Sequence, residues 1–362
     1  MTDPLPPNPP VTSEPKVYQR RVRYSGLHPR KFSEKYKELN PERHADTVQK
    51  IIASGKTPAG MHRPICVKEI LEVLAPRPGE IAVDATLGYG GHTSELLPLL
   101  QPGGRLIALD VDPLELPRTE ERLRARGFTA EQLAIHRSNF AGLSKVLALE
   151  QIAGVDLVLA DLGLSSMQID NPERGFTFKS EGPLDLRMNP QRGQPASAWL
   201  TSVAEPELAL LLEENSDEPR AKIIASAIIQ ARNRGPLLTT TTLARVIREA
   251  LTQHTPARDK SEIDTSIRRT FQAIRIQVND EFNVLENFLR QLPYCLNPGG
   301  RVAILTFHSG EDRRVKKAFQ AGERDGLYSS VAREVIRPGA EELRSNPRST
   351  SAKLRWAIRA KS

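Results

Sequence analysis

The stretch "VDATLGYGGHTSELL", residues 83–97, limits the possible folds more than any other part of the chain. A β-branched apolar run enters a turn containing Gly88, Gly90 and Gly91, and a helix-compatible segment leaves it. Strand, glycine-rich turn and helix, in that order, open a Rossmann-like sheet, and the turn's N–H groups suit an anionic group such as a pyrophosphate or a carboxylate. The glycines run G-x-G-G with His92 directly after them, so the third glycine of the dinucleotide fingerprint is missing. That glycine permits the tight helix–strand contact of dinucleotide folds, and its absence counts against one. No G-x-x-x-x-G-K-[ST] occurs, which excludes a P-loop. About twenty residues on, "ALDVDP" ends a second strand with Asp110, an acid placed to accept hydrogen bonds from ribose hydroxyls. Turn and acid together imply an adenosine-type cofactor with a ribose; NAD and S-adenosylmethionine fit alike at this point.

The rest of the chain continues the alternation. "IAVDAT" (81–86), "RLIALDVD" (105–112), "LAIHRS" (133–138) and "VDLVLADLG" (155–163) are short β-rich runs separated by helical patterns, the signature of a parallel α/β sheet. The next such strand, "GRVAILTFHS" (300–309), comes late. Residues from about 187 to 270 read as helices, and "IRRTFQAIRIQVNDEFNVLENFLRQL" reads as one long helix leading back to the sheet. "SVAREVI" and "AKLRWAIRA" alternate like a closing antiparallel hairpin. The expected layout is a basic extension at 1–60, a sheet domain at 61–186 and 271–362, and an inserted helical domain at 187–270.

Charge points to a partner. The formal net charge is +7, and residues 1–60 carry 11 Lys/Arg against 6 Asp/Glu, so most of the surplus lies there. Between residues 16 and 37 that segment interleaves eight basic residues with Tyr18, Tyr24, Phe32 and Tyr36, a pattern suited to phosphates and unpaired bases. No apolar run reaches the length of a membrane span, and the N-terminus lacks the pattern of a signal peptide. Cys66 and Cys295 fit neither a disulfide framework nor a metal-ligand spacing. A cytoplasmic protein without a metal is expected.

The segment "DLVLADLGLSSMQIDNPERGFTFKSEGPLDLRMNP" ends its strand at Asp161, on the sheet edge where ligands bind. A polar loop with Gly, Ser, Ser and Gln follows, able to grip the edge of a planar heterocycle. With "HRPICVKEIL" (62–71), "DATLGYGGHTSELL" (84–97), "LIALDVDP" (106–113), "NFAGL" (139–143), the block at 161–200, "RTFQAIRIQVNDE" (269–281), "LNPGGRVAILTFHSGEDRRVKK" (296–317) and "NPRSTSAKLR" (346–355), the chain resembles the bacterial 16S ribosomal RNA cytosine-N4 methyltransferases of the MraW/RsmH family. The resemblance implies a class I, Rossmann-like S-adenosylmethionine-dependent methyltransferase sheet with an inserted helical domain. It also implies small-subunit ribosomal RNA as partner, and cofactor contacts at Gly90, Gly91, His92, Asp110, Phe140, Asp161 and Gln168. The chain departs from the family pattern at Gly310, where leucine is usual, at Thr265–Ser266–Ile267, at Ser216–Asp217–Glu218 and in its extension.

For methyl transfer to an exocyclic amine, the expected acceptor of the amine's hydrogen bonds is Asp161 backed by Ser165 and Ser166, or a backbone carbonyl of that loop. His308 and Ser309 end the next strand and are expected to hold the base or take the proton, and Arg174 to meet phosphate or the splayed-out base. Two other functions compete: methylation of another RNA site or substrate, and a non-catalytic RNA-binding assembly factor.

Overall fold

A computed structural model describes residues 64–254 and 260–361; the basic extension expected at 1–60 lies outside the described residues. Helix α1 (Val67–Leu74) buries Ile70 and Leu74, four residues apart on one face, and stops where Ala75 turns left-handed at φ 40°. Strand β1 (Ile81–Asp84) leads through the glycine turn into α2 (Gly91–Leu96). The winding continues through β2 (Arg105–Asp110), α3 (Leu116–Ala125), β3 (Leu133–Arg137), α4 (Leu143–Leu149) and β4 (Val155–Asp161).

After β4 come the short helix α5 (Ser166–Asp170) and a helical unit: α6 (Ala196–Trp199), α7 (Glu205–Ser216), α8 (Ala221–Arg234), α9 (Thr240–His254) and α10 (Lys260–Asn279). Helix α11 (Glu281–Cys295) returns the chain to β5 (Leu296–Thr306), followed by α12 (Ser309–Arg324), β6 (Tyr328–Val331), α13 (Ala340–Ser345) and β7 (Lys353–Arg359).

The strands form one seven-stranded sheet in the order β3-β2-β1-β4-β5-β7-β6. The first five are mutually parallel, and β7 runs antiparallel to both its neighbours. The sheet is covered on both faces, so its central strands are apolar throughout rather than alternating with polar residues. Val83, Ile107, Val158 and Ile304 join one core. Their neighbours Ala82, Leu106, Leu157 and Leu305 join another. The chain steps outward from β1 to β3 and then returns to the other flank of β1 as β4. The β1/β4 boundary is therefore the switch point, where ligands of such sheets bind beyond the carboxyl ends of the strands.

Three expectations need correction. The long helix at 267–292 is two helices, broken at Asp280, whose φ of 53° is left-handed. Apolar spacing persists on both sides of the break, so periodicity passes over it. The helical unit also begins earlier and ends later than 187–270: Phe176, Leu184 and Leu186 share its core with Phe271 and Ile274, and α10 runs unbroken through position 270. The closing strands are antiparallel as expected, but β6 begins at Tyr328, and α13 lies between the pair, so they are no hairpin. Among the described residues no helix is long and apolar enough to cross a membrane. Both cysteines are buried free thiols.

Candidate active site

A cleft of about 1390 Å3 opens at the switch point. Small-molecule sites usually occupy about 300–1,000 Å3, so there is room for more than one ligand. Its floor comes from the carboxyl ends of the strands: Ala85–Tyr89 after β1, Asp110–Asp112 after β2, Ser138–Phe140 after β3, Asp161–Ile169 after β4, and Phe307 with His308 after β5.

The cofactor half is built around the glycine turn. Gly88 and Gly90 take positive φ values of 49° and 78°. A Cβ at Gly90 would stand 3.0 Å from Leu123 on α3, so this glycine lets the turn pack on that helix. Gly91 lines the cleft, whereas Gly90 does not. The Asp110 carboxylate accepts the Gly88 N–H at 2.7 Å and the Asp112 N–H at 2.8 Å. Burial pushes its pKa up to about 6, against the pull of these two bonds and with the push of Asp112 and Asp84. Each carboxylate oxygen keeps a further acceptor site, so Asp110 remains able to take ribose hydroxyls. Phe140 lines the cleft and packs edge-on against Phe288, with ring centroids 5.3 Å apart. An acid, an apolar ring and a glycine turn fit a ribose, an adenine and a charged tail. Asp110→Ala should cost roughly 1.5–3 kcal/mol of cofactor affinity for each charge-assisted bond lost. Calorimetry with S-adenosylmethionine reads this directly, and an unchanged dissociation constant would remove Asp110 from the site.

The other half of the cleft centres on Asp161. Its side chain is 28% exposed, and Oδ2 stands 3.6 Å from His92 Nδ1. Its own N–H donates to Thr86 Oγ1 at 2.6 Å. Burial raises the Asp161 carboxyl to about 6; His92 pulls it down, while Asp84 and Glu311 push it up. Ser165 and Ser166 also line the cleft. Ser165 is the N-cap of α5, in a capping box with Gln168: Ser165 Oγ accepts the Gln168 N–H, and Gln168 Oε1 accepts the Ser165 N–H at 2.9 Å. Gln168 faces the cleft with its amide engaged, since Nε2 donates to Asp112 Oδ2 at 2.8 Å.

Three residues are not used as expected. Arg174 is buried, with Nη1 2.6 Å from Asp112 Oδ2 and Nη2 donating to the Met188 carbonyl at 2.8 Å. It braces the loop and is not available to phosphate. Ser309 is outside the cleft lining and donates its hydroxyl to Asp217 Oδ2 at 2.7 Å. His308 lines the cleft, yet both ring nitrogens are covered, and Nε2 faces Glu311 Oε1 at 3.1 Å. In this arrangement the ring presents no nitrogen to a base. Glu281, His308 and Glu311 bring ligand-type atoms within 4.8 Å of one another. Arg275 already neutralises Glu281 through bonds of 2.7 and 2.9 Å, so the cluster holds its own cation.

Sequence reasoning missed Asp112, the 1% exposed acid that collects Gln168, Arg174 and the Leu114 N–H. The signal was its place two residues after Asp110, in a D-x-D pair. Also missed was the turn from Asn346 to Ser351, which lines the cleft and is tied to α5 by Arg348 donating to Asp170 Oδ1 at 2.6 Å. The pairing of Thr306 with Lys353 brings this turn to the end of β5.

The sequence profile of the MraW methylase family matches residues 59–360. The chain belongs to this family. It is thus a methyltransferase with the class I sheet, and S-adenosylmethionine is its methyl donor. A protein of Alkaliphilus metalliredigens named ribosomal RNA small subunit methyltransferase H 2 is 56% identical over 343 residues, covering 94% of this chain and 98% of that protein. One of Lachnoclostridium phytofermentans named ribosomal RNA small subunit methyltransferase H 1 is 52% identical and covers 97% of this chain and 96% of its own length. The basic extension lies outside the MraW family profile, but coverage of 97% leaves too few residues unmatched to exclude it, so this relative shares most of it. Among solved structures, a putative rRNA-methylase from Clostridium thermocellum superposes with a TM-score of 0.39 at 12% identity, over 81% of this chain and 95% of that one.

Proposed function

We propose that this chain methylates the exocyclic N4 of a cytosine in small-subunit ribosomal RNA. The observation that carries the reading is the Asp161 carboxylate, partly exposed in the cleft on the strand next to the cofactor turn, in a methylase whose relatives are named for small-subunit ribosomal RNA.

Bound in the cleft, S-adenosylmethionine supplies an electrophilic methyl group on a sulfonium. The amine it meets is a poor nucleophile, because its lone pair is delocalised into the pyrimidine ring. The chain's own residues therefore hold the amine in line and accept its hydrogen bonds as positive charge develops. Asp161 takes that role, with the backbone carbonyls of the Ser165–Ser166 loop as neighbouring acceptors. Lys179, Arg192 and Arg268 support a polyanionic substrate: all three line the cleft and are exposed, and among the described residues none forms an ion pair. The basic extension adds further cations and aromatic rings in the sequence before the described residues.

The test is transfer of labelled methyl groups to purified small subunits, with digestion of the RNA and mass spectrometry of its nucleosides. N4-methylcytidine at one position is the expected product. Label on another nucleoside, on protein or on nothing would overturn the reading. Deleting residues 1–60 should leave cofactor affinity intact and weaken RNA binding. The salt slope should fall by about 0.7 per lost phosphate contact. An unchanged slope would remove the extension from RNA docking.

A further inference from the structure

Asp161 is the stronger acceptor for an amine, with both oxygens free of protons, while it is ionised, and its surroundings oppose that. Asp84 at the end of β1 and Glu311 on α12 both push against its charge, and the thiol of Cys66 faces it from the start of α1. Among the described residues no lysine or arginine pairs with it. Arg275, the nearest cation to Glu311's side of the cleft, is committed to Glu281.

One group facing Asp161 can carry positive charge. His92 is buried, with its ring fixed at both ends: Nε2 lies 3.0 Å from the Ile65 carbonyl, and Nδ1 faces Asp161 Oδ2 at 3.6 Å. A carbonyl oxygen only accepts, so Nε2 carries a proton and donates it. That bond sets the ring plane and leaves Nδ1 pointing at the carboxylate. Asp84, itself held by Thr93 Oγ1 at 2.7 Å, and Glu342 complete the acids around the imidazole. The ring thus stands among the carboxylates of Asp161, Asp84 and Glu342.

We propose that His92 is a positioning residue for the transfer step: pinned by the Ile65 carbonyl, its imidazole holds the Asp161 carboxylate in the charged form that accepts the amine's hydrogen bonds. This rests on the methyl-transfer reading above and assigns His92 a task beyond contact with the cofactor. An opposite charge within about 4–6 Å lowers a carboxyl pKa by about 1–3 units. Its loss should raise the Asp161 carboxyl by a comparable amount.

The test uses His92→Gln, whose amide keeps a donor for the Ile65 carbonyl but offers Asp161 no charge. Single-turnover methyl transfer is followed against pH with cofactor and small subunits saturating. The wild-type acid limb should fall near pH 6, where burial sets Asp161. In the variant it should move up by about one unit or more, whatever plateau the rate reaches at high pH. A limb that stays in place, or a rate loss equal at every pH, would overturn the proposal, leaving His92 a cofactor contact or a packing residue. The second measurement needs no RNA. Carbon-13 titration of the Asp161 carboxyl, assigned with Asp161→Asn, should show the same upward move in the free protein. If the wild-type chain methylated nothing, this titration would still decide the electrostatic role on its own.

Discussion

Replacing Asp161 with alanine is expected to lower single-turnover methyl transfer by about 10²–10³-fold, the usual cost of removing one preorganised group aimed at developing charge. Cofactor affinity should fall far less. The carboxylate lies at the end of β4, which flanks β1 opposite β2, whereas Asp110 ends β2. Asp161→Asn discriminates further, since its amide keeps one acceptor oxygen in the same shape but removes the charge. It should be less damaging than alanine and more damaging than no change. Equal losses of cofactor binding and turnover would make Asp161 a cofactor contact only. The acceptor would then be a backbone carbonyl of the Ser165–Ser166 loop.

The largest expected effect on stability belongs to Asp112. Its carboxylate is 1% exposed, pairs with buried Arg174 at 2.6 Å, and receives Gln168 on the same oxygen. Asp112→Ala leaves the buried guanidinium without a counter-charge, and breaking a buried pair this way costs about 3–5 kcal/mol. Denaturant unfolding should show the midpoint falling with little change in slope. The double variant Asp112→Ala with Arg174→Met should be less destabilised than Asp112→Ala alone, because no uncompensated charge remains. If the double variant were the worse of the two, packing of the arginine stem rather than its charge would hold the loop.

These residues also mark where the sequence was readable. The parallel strands were legible because a sheet covered on both faces demands unbroken apolar runs, and "LVLA" or "AILT" offers little else. The place of Asp110 and Asp161 in the cleft was legible because both end strands at the switch point, where such sheets open their clefts. Arg174 was expected at phosphate or the base, and no local pattern shows its burial, which depends on an acid 62 residues earlier. The break at Asp280 hid for a similar reason. One residue in the left-handed region redirects the chain without disturbing the apolar spacing around it. The orientation of His308 depends on Glu311, three residues on, and on the Phe282 ring, which meets it only through the packing of α11 and α12. No local pattern encodes that meeting.

Phe282 has a consequence for how this chain can change over generations. A Cβ added at Gly310 would stand 2.6 Å from Phe282 Cζ and 3.2 Å from His308 Nδ1, and the Arg314 guanidinium stacks 3.5 Å from the centre of the Phe282 ring. The ring occupies the space that a leucine at 310 would need, and it has little room to retreat. Glycine here and leucine in the usual family pattern are then two solutions of one packing problem. The path between them has an order: the side chain at 282 must shrink before the one at 310 can grow. A lineage that took the steps in reverse would pass through a protein with a displaced catalytic wall, so positions 282 and 310 should be inherited as a pair.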